Sequence, residues 1–379
     1  MSKMQFVSSA ALVMAFLPGA TLSAAAPDTI KIGVFEPMTG GMAAGGQQSW
    51  EGIQLANEQA KTVLGKRVQL VLVDNKSDKV EAATAMSRLI NSDKVVGVIG
   101  SYGSSLSMAG GEVSERAGIP VIGDSPTNPL VTKGKQFYFR VCFIDPFQGS
   151  VMAKYAFSNL HAKLVAIIQD VAQDYSVGLS NYFRNKWLEL SGDPKSLVAF
   201  TSYQSGDVDF TAQLNSVMSK HPDVIFSSGY YGEAGMLAKQ AREMGFQGML
   251  LGGDAWDAPE LIQVAGAAGE GMTFSTHYDP AGGVTPSSKR FVDAYKAKYH
   301  KDPNAFAALG YDAYMLMLDG ISRAKSTNGK AIRDQIAATK RFEGVTGYIT
   351  IDADHNAVKE AVIKTVKNGN FAYVTAIQP

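Results

Sequence analysis

From Ile30 onward, short apolar runs rich in β-branched residues alternate with stretches of helical periodicity, and this alternation restricts the fold more than any other feature. The strand candidates are Ile30–Phe35, Val68–Val73, Val95–Ile99, Ile119–Ile122, Leu164–Ile168, Val198–Tyr203, Val224–Phe226 and Met249–Leu251. Between them lie amphipathic stretches such as Trp50–Ala60 and Val80–Ile90, the latter with Val80, Ala83, Met86 and Ile90 at helical spacing. Near-continuous apolar strands separated by helices predict parallel sheets covered on both faces. One open sheet holding every strand would be unusually wide, so two α/β lobes are expected.

The alternation pauses at Phe137–Asp145, an extended segment that breaks at Pro146, and then restarts. Past Tyr278 a Pro/Gly-rich stretch (Asp279–Pro286) leads into helical patterns at 287–299, 305–324 and 328–339. The chain ends in short strands around Tyr348–Ile351, Ala361–Val366 and Tyr373–Ile377. The expected lobes are residues 27–144 plus 275–350 and residues 145–274 plus 351–379, joined by several crossings that form a hinge. An internal echo supports this division. Val98-Ile-Gly-Ser-Tyr-Gly-Ser104 and Val121-Ile-Gly-Asp-Ser125 correspond to Ile225-Phe-Ser-Ser-Gly-Tyr230 and Leu251-Gly-Gly-Asp-Ala255. Each is a buried strand ending in small polar residues, and the four loops would meet across one cleft.

Residues 1–26 read as a secretory signal peptide, with Lys3 as their only charge, an apolar run from Phe6 to Leu17, and Ser23-Ala-Ala-Ala26 for cleavage near Ala26. No later stretch approaches the length of a membrane span. Cys142 is the only cysteine, which excludes an intrachain disulfide and leaves no lipid-anchoring cysteine after the apolar run. A soluble periplasmic protein is expected. Lys plus Arg equals Asp plus Glu at 35 each, so there is no basic surplus for nucleic acid or an anionic membrane.

In open α/β sheets ligands collect at the carboxyl ends of the strands, and the unusual residues of this chain fall there. Gly100-Ser-Tyr-Gly-Ser-Ser105 precedes the helical stretch Leu106–Ala117; Ser104 or Ser105 suits a helix cap, and the free N–H groups suit a carboxylate. Ser125 and Thr127 add hydroxyls after the next strand. Asp254 suits either an ammonium group or the cap of the following helix, and for Asp124 the cap is favoured. Tyr175 and Tyr230 follow strand ends, while Tyr102, Trp256 and Phe306 offer walls for an apolar side chain. A zwitterion needs two opposite devices, and each half supplies one: hydroxyls and N–H groups at 104 and 125–127 for the carboxylate, Asp254 for the amine.

The chain resembles the leucine/isoleucine/valine-binding protein family of periplasmic receptors over nearly all of residues 28–379. The matching pieces are Ile30-Lys-Ile-Gly-Val with Met38-Thr-Gly40, Val95-Val-Gly-Val-Ile-Gly-Ser101, Gly118-Ile-Pro-Val and Ser125-Pro-Thr-Asn-Pro129. Arg140, Gln173-Asp-Tyr-Ser-Val-Gly178, Asp209-Phe, Gly229-Tyr-Tyr-Gly232 and Gly310-Tyr-Asp follow in the family's order. The resemblance implies the type I periplasmic binding protein fold, two Rossmann-like lobes with parallel central sheets and a multi-strand hinge. It implies capture of an amino acid with a branched-chain or other apolar side chain, and delivery to an ABC permease and ATPase complex at the inner membrane. The receptor is expected to be a monomer without cofactor or metal.

By the same resemblance Ser104 and Thr127 match the carboxylate and amine contacts, with Ser125 contributing backbone, Tyr230 matches the aromatic beside the amine, and Tyr175 the tyrosine at the cleft edge. Asp254 matches the acidic amine anchor, and Tyr102 and Phe306 match side-chain pocket positions. One departure stands out: the family places an aromatic near the first loop, where this chain has Gly45 in Met42-Ala-Ala-Gly-Gly46, which is expected to enlarge the pocket. Gly40-Gly41 and Gly45-Gly46 read as a flexible loop at the cleft mouth.

Catalytic patterns are missing: no Gly-x-Ser-x-Gly elbow, no Walker A loop, no His-Glu-x-x-His. Asp352-Ala-Asp-His-Asn356 is expected to be a polar hairpin turn, because Ala357 and Ile363 stand where a calcium loop needs Gly and an acid. The rival readings are a secreted hydrolase, for which Ser104 lacks a base, and a sensory receptor of the same fold for an amide, urea or aromatic acid.

Overall fold

The computed structural model describes Met1, residues 29–282 and 285–379. Residues 2–28, which carry the expected signal peptide, and Gly283 and Val284 of the Pro/Gly-rich stretch lie outside the described residues.

The first half of the chain builds one sheet from β1 (Thr29–Glu36), β2 (Thr62–Val63), β3 (Lys66–Asp74), β4 (Gly97–Ile99), β5 (Val121–Gly123) and β6 (Tyr138–Arg140). Their order is β2-β3-β1-β4-β5-β6, parallel throughout except for the short β2-β3 hairpin. Helices α1 (Ala43–Gln59), α2 (Lys79–Asn91) and α3 (Ser104–Ala117) connect these strands. After β6 the chain enters α4 (Asp145–Lys154), with Pro146 in its first turn, where a missing N–H costs nothing. A second sheet then forms from β7 (Val165–Asp170), β8 (Leu197–Tyr203), β9 (Val224–Ser227), β10 (Met249–Gly252) and β11 (Thr273–Thr276), joined through α5 (Asp174–Ser191), α6 (Thr211–Met218), α7 (Tyr231–Glu243) and α8 (Pro259–Ala265).

The chain next runs through α9 (Pro286–Tyr299), α10 (Ala305–Ala324) and α11 (Gly329–Ala337), and a small antiparallel sheet of β12 (Phe342–Gly344), β13 (Gly347–Ile351) and β14 (Ala357–Val358). It finishes in β15 (Ala361–Lys367) and β16 (Asn370–Ile377), which extend the second sheet to the order β16-β15-β11-β10-β9-β7-β8. The two C-terminal strands pair antiparallel; the other five are parallel.

Buried on both faces, β1 sends alternate side chains to two different cores. Ile30, Ile32 and Val34 share a core with Ile53 and Ala56 of α1 and Leu309 and Ala313 of α10, while Phe35 joins Met86, Leu89 and Leu106 on the other side. Helices α1 and α10 approach so closely that a Cβ at Gly52 would stand 1.8 Å from the Ala307 carbonyl oxygen, and one at Gly310 would stand 2.3 Å from that of Ser49. Asp78 caps α2 by accepting from Val80 N (2.8 Å) and Glu81 N (3.0 Å). The Asp352–Asn356 segment is the expected polar turn, with Asp352 Oδ1 accepting from Asp354 N (2.9 Å) and Asn356 N (2.8 Å).

One expectation fails. Gly45 and Gly46 are not in a loop; they are buried in α1, which starts at Ala43. Both allow close approach instead of motion. A Cβ on Gly46 would lie 2.2 Å from the Pro37 carbonyl oxygen.

Candidate functional site

In each sheet the strand order reverses beside the first strand, so the loops leaving the carboxyl ends diverge and open a crevice. Loops from the two sheets meet there. Ala44 N donates to the Tyr231 hydroxyl at 3.0 Å, and the Tyr102 and Tyr230 rings lie 5.7 Å apart.

On the first sheet's side, the β4–α3 loop is held by its backbone. Tyr102 N donates to Glu36 Oε2 (2.8 Å), and Asn75 Nδ2 donates to the Ser101 hydroxyl (2.8 Å). Burial, with the neighbouring Asp124 carboxyl, pushes Glu36 well above the ordinary carboxylate range. Gly103, at φ +93°, turns the chain into α3. Neither serine caps that helix as expected. Ser104 and Ser105 sit inside its first turn; Ser104 Oγ accepts from Asn128 N (3.1 Å), and Ser105 is engaged with Asp174 across the cleft. The first-turn N–H groups therefore have no side-chain cap. Asp124 caps nothing either. It accepts from Ser125 N (2.7 Å) and from the Ser49 hydroxyl of α1, and the short 3-10 turn farther along this loop, Pro129–Val131, is capped by Asn128 instead.

On the second sheet's side, Asp254 is buried but does not cap the short turn that it opens. Its Oδ1 accepts from the Tyr175 hydroxyl (2.9 Å) and Gln148 Nε2 (2.9 Å), and its Oδ2 pairs with His277 Nε2 (2.9 Å). Burial lowers the His277 pKa, against the pull of Asp254, and favours a neutral ring whose Nε2–H donates. A carboxylate offers about four lone-pair positions, so three donors leave Asp254 one more to give. Gln148 Nε2 also donates to Asp145 Oδ1 (2.8 Å). Burial and the Asp254 charge push Asp145 up to about 7.

Between these walls lies a small cavity with about 10 Å³ open to water, lined by Tyr102, Gly103, Ser104, Ser125, Tyr175, Tyr230, Asp254 and Ala255. Six of the eight expected site residues thus line one space. The other two stand behind it. Phe306 packs edge-on against Tyr102, ring centroids 4.8 Å apart. Thr127 is buried near the Asp145 carboxyl, whose charged form it favours, yet its hydroxyl completes no hydrogen bond. Trp256 is core: its Nε1 donates to the Gly229 carbonyl (3.1 Å) and its ring lies under Gly252. Among the described residues the buried hydroxyls of Tyr102, Ser125 and Tyr230 also have no partner, an unusual concentration of unpaired polar atoms.

The expected enlargement at Gly45 does not occur. The Tyr102 ring fills the space, since a Cβ on Gly45 would stand 2.5 Å from Tyr102 Cζ. Two participants, Gln148 and His277, escaped the sequence reading. His277 directly follows the carboxyl end of β11, the same signal that marks Tyr230 and Asp254. Gln148 lies in a helix after the crossing and carries no such mark.

Residues 29–370 match the model of the periplasmic binding protein family. An amino acid binding protein of Pseudomonas aeruginosa is 32% identical over 301 residues, 77% of each chain. A crystal structure of the leucine binding protein LivK of Thermotoga maritima has a TM-score of 0.89 at 48% identity, covering 92% of this chain and 99% of that one. The branched-chain amino acid transporter substrate binding protein LivJ of Streptococcus pneumoniae, solved in complex with isoleucine, has a TM-score of 0.87 at 36% identity, covering 93% of this chain and all of that one. With two α/β sheets facing one cleft and a family match over nearly its whole described length, the chain belongs to the periplasmic binding proteins.

Proposed function

We propose that this chain captures an amino acid in the cleft and delivers it to an ABC permease and ATPase complex at the inner membrane, acting by binding and not by turnover. One observation carries the reading: a buried acid, Asp254, stands across a small cavity from unpaired hydroxyls and an uncapped helix N-terminus. The ammonium group takes the free lone pair of Asp254, beside the Tyr230 and Tyr175 rings. The carboxylate takes the first-turn N–H groups of α3 and the Ser125 hydroxyl, with Thr127 standing behind them. The leucine and isoleucine named for the Thermotoga and Streptococcus relatives support this class of ligand.

Closure moves a lobe of residues 27–144 plus 275–350 against one of residues 145–274 plus 351–379, with Phe306 backing the pocket. The precursor is cleaved near Ala26, and the mature protein is a periplasmic monomer. A thermal-shift screen against the proteinogenic amino acids and simple amides tests the reading. A ligand at one hundred times its Kd stabilises by about 2.7 kcal/mol, which raises the melting point measurably. If no amino acid raises it, the reading fails.

A further inference from the structure

The zwitterion reading leaves two buried hydroxyls of the cavity wall without a use, those of Tyr230, whose ring lies beside the ammonium site, and of Tyr102. We infer that Tyr102 reads the ligand's side chain, and that the cleft prefers a small amino acid bearing a hydroxyl on its β-carbon over the hydrocarbon isostere. The inference rests on the amino-acid reading above and names the side chain that reading leaves open.

Tyr102 is 2% exposed and its Oη completes no hydrogen bond with any of the described residues. The phenol is fixed in place. Its backbone N–H is held by Glu36, its carbonyl accepts from the Ser101 hydroxyl (3.0 Å), and its ring is wedged between Phe306 and the bare Cα of Gly45. The contact with Gly45 is at Cζ, the ring carbon that bears the hydroxyl. Tyr102 therefore leans on the α1 and α10 side of the cavity.

The two charged ends of the ligand face other walls, one at Asp254 and one at the α3 first turn with Ser125. The direction that remains from a tetrahedral Cα is the side chain, and Tyr102 stands there. The space is also tight: it leaves only about 10 Å³ open to water, room for roughly one molecule. A hydroxyl on the β-carbon satisfies the phenol. A methyl in the same place leaves it buried and unpaired, and sites built to hydrogen-bond a ligand group discriminate strongly against analogues that lack it.

Threonine and valine differ only in that group, so calorimetry of both against the full mature protein and its Tyr102→Phe variant isolates the effect. The expected result is that wild type binds threonine at least about tenfold tighter than valine, and that Tyr102→Phe brings the two within roughly twofold. Phenylalanine keeps the ring on Gly45, so melting should hold; if the variant folds poorly, the wild-type ratio alone decides. Equal or tighter valine binding by wild type overturns the inference. So does a variant that weakens both ligands alike, because the phenol would then serve the ligand's backbone groups. In both cases amino acids still bind and the functional reading survives. If neither ligand nor any other amino acid binds, that reading fails and takes this inference with it.

Discussion

The Ser105 hydroxyl donates to the Asp174 carboxylate at 2.8 Å and accepts from the Asp174 N–H at 3.0 Å, a reciprocal pair that joins α3 of the first sheet to α5 of the second. Asn128 Nδ2 adds a bond to the Asp174 carbonyl (2.7 Å), and Lys79 Nζ reaches its carboxylate (3.1 Å). The next residue on α5 is Tyr175, which bonds Asp254, so one helix N-terminus carries both the latch and a wall of the site.

The latch should set affinity without touching ligand. Ser105→Ala removes a net hydrogen bond of the closed form, and binding should weaken roughly two- to tenfold through faster release. Lys79→Ala removes only an exposed ion pair and should change affinity little. Stopped-flow release rates on both variants check this; equal rates in wild type and Ser105→Ala would show that the pair does not hold the cleft shut.

Replacing Asp254 should separate binding from folding only if its shape is kept. Asp254→Asn keeps the outline but loses the charge, and should cost about 1.5 to 3 kcal/mol of binding, tenfold or more, with near-normal melting. Asp254→Ala also strips Tyr175, Gln148 and His277 of their acceptor, so it should lose stability as well. Calorimetry that finds unchanged affinity in Asp254→Asn removes it from the ammonium site.

Asp145 gives stability a definite dependence on pH. Its folded pKa, about 7, lies above the usual 3.8, so between these values the native state holds a proton that the unfolded chain has released. Its contribution is therefore favourable at low pH and is lost as pH rises toward 7. His277, lowered by burial, acts in the opposite sense, losing stability as pH falls below about 6.5. Asp145→Asn should gain on wild type steadily from pH 4 to pH 7 in denaturant melts. A difference that stays flat over that range rules out the buried, protonated carboxyl.

Glycine replacements should rank by what each new Cβ meets. Gly52→Ala drives a methyl into the Ala307 backbone, which cannot yield, and should cost more than Gly45→Ala, where the obstacle is a ring. Gly45→Ala should still lower affinity, because Tyr102 must leave its seat. Gly232→Ala, in α7 with nothing within 4 Å of the new carbon, should be neutral or stabilising by up to about 1 kcal/mol. Melting temperatures in any other order would refute this packing account.

The sequence alone determined the alternation of strands and helices, the break near Asp145, and the small polar residues at strand ends that line the cleft. Those features are local: a period of two or 3.6, a proline, or a glycine can be read within a few neighbours. Tertiary structure decided how they are used. It moved Gly45 from a presumed loop into a helix under Tyr102, turned Ser105 from a cap into a latch, and gave Asp254 a neutral histidine and a glutamine as partners. These pairs lie far apart in the chain, 69 residues for Ser105 and Asp174 and 106 for Gln148 and Asp254. No local pattern encodes such contacts, because they exist only once two sheets have folded and their loops have met.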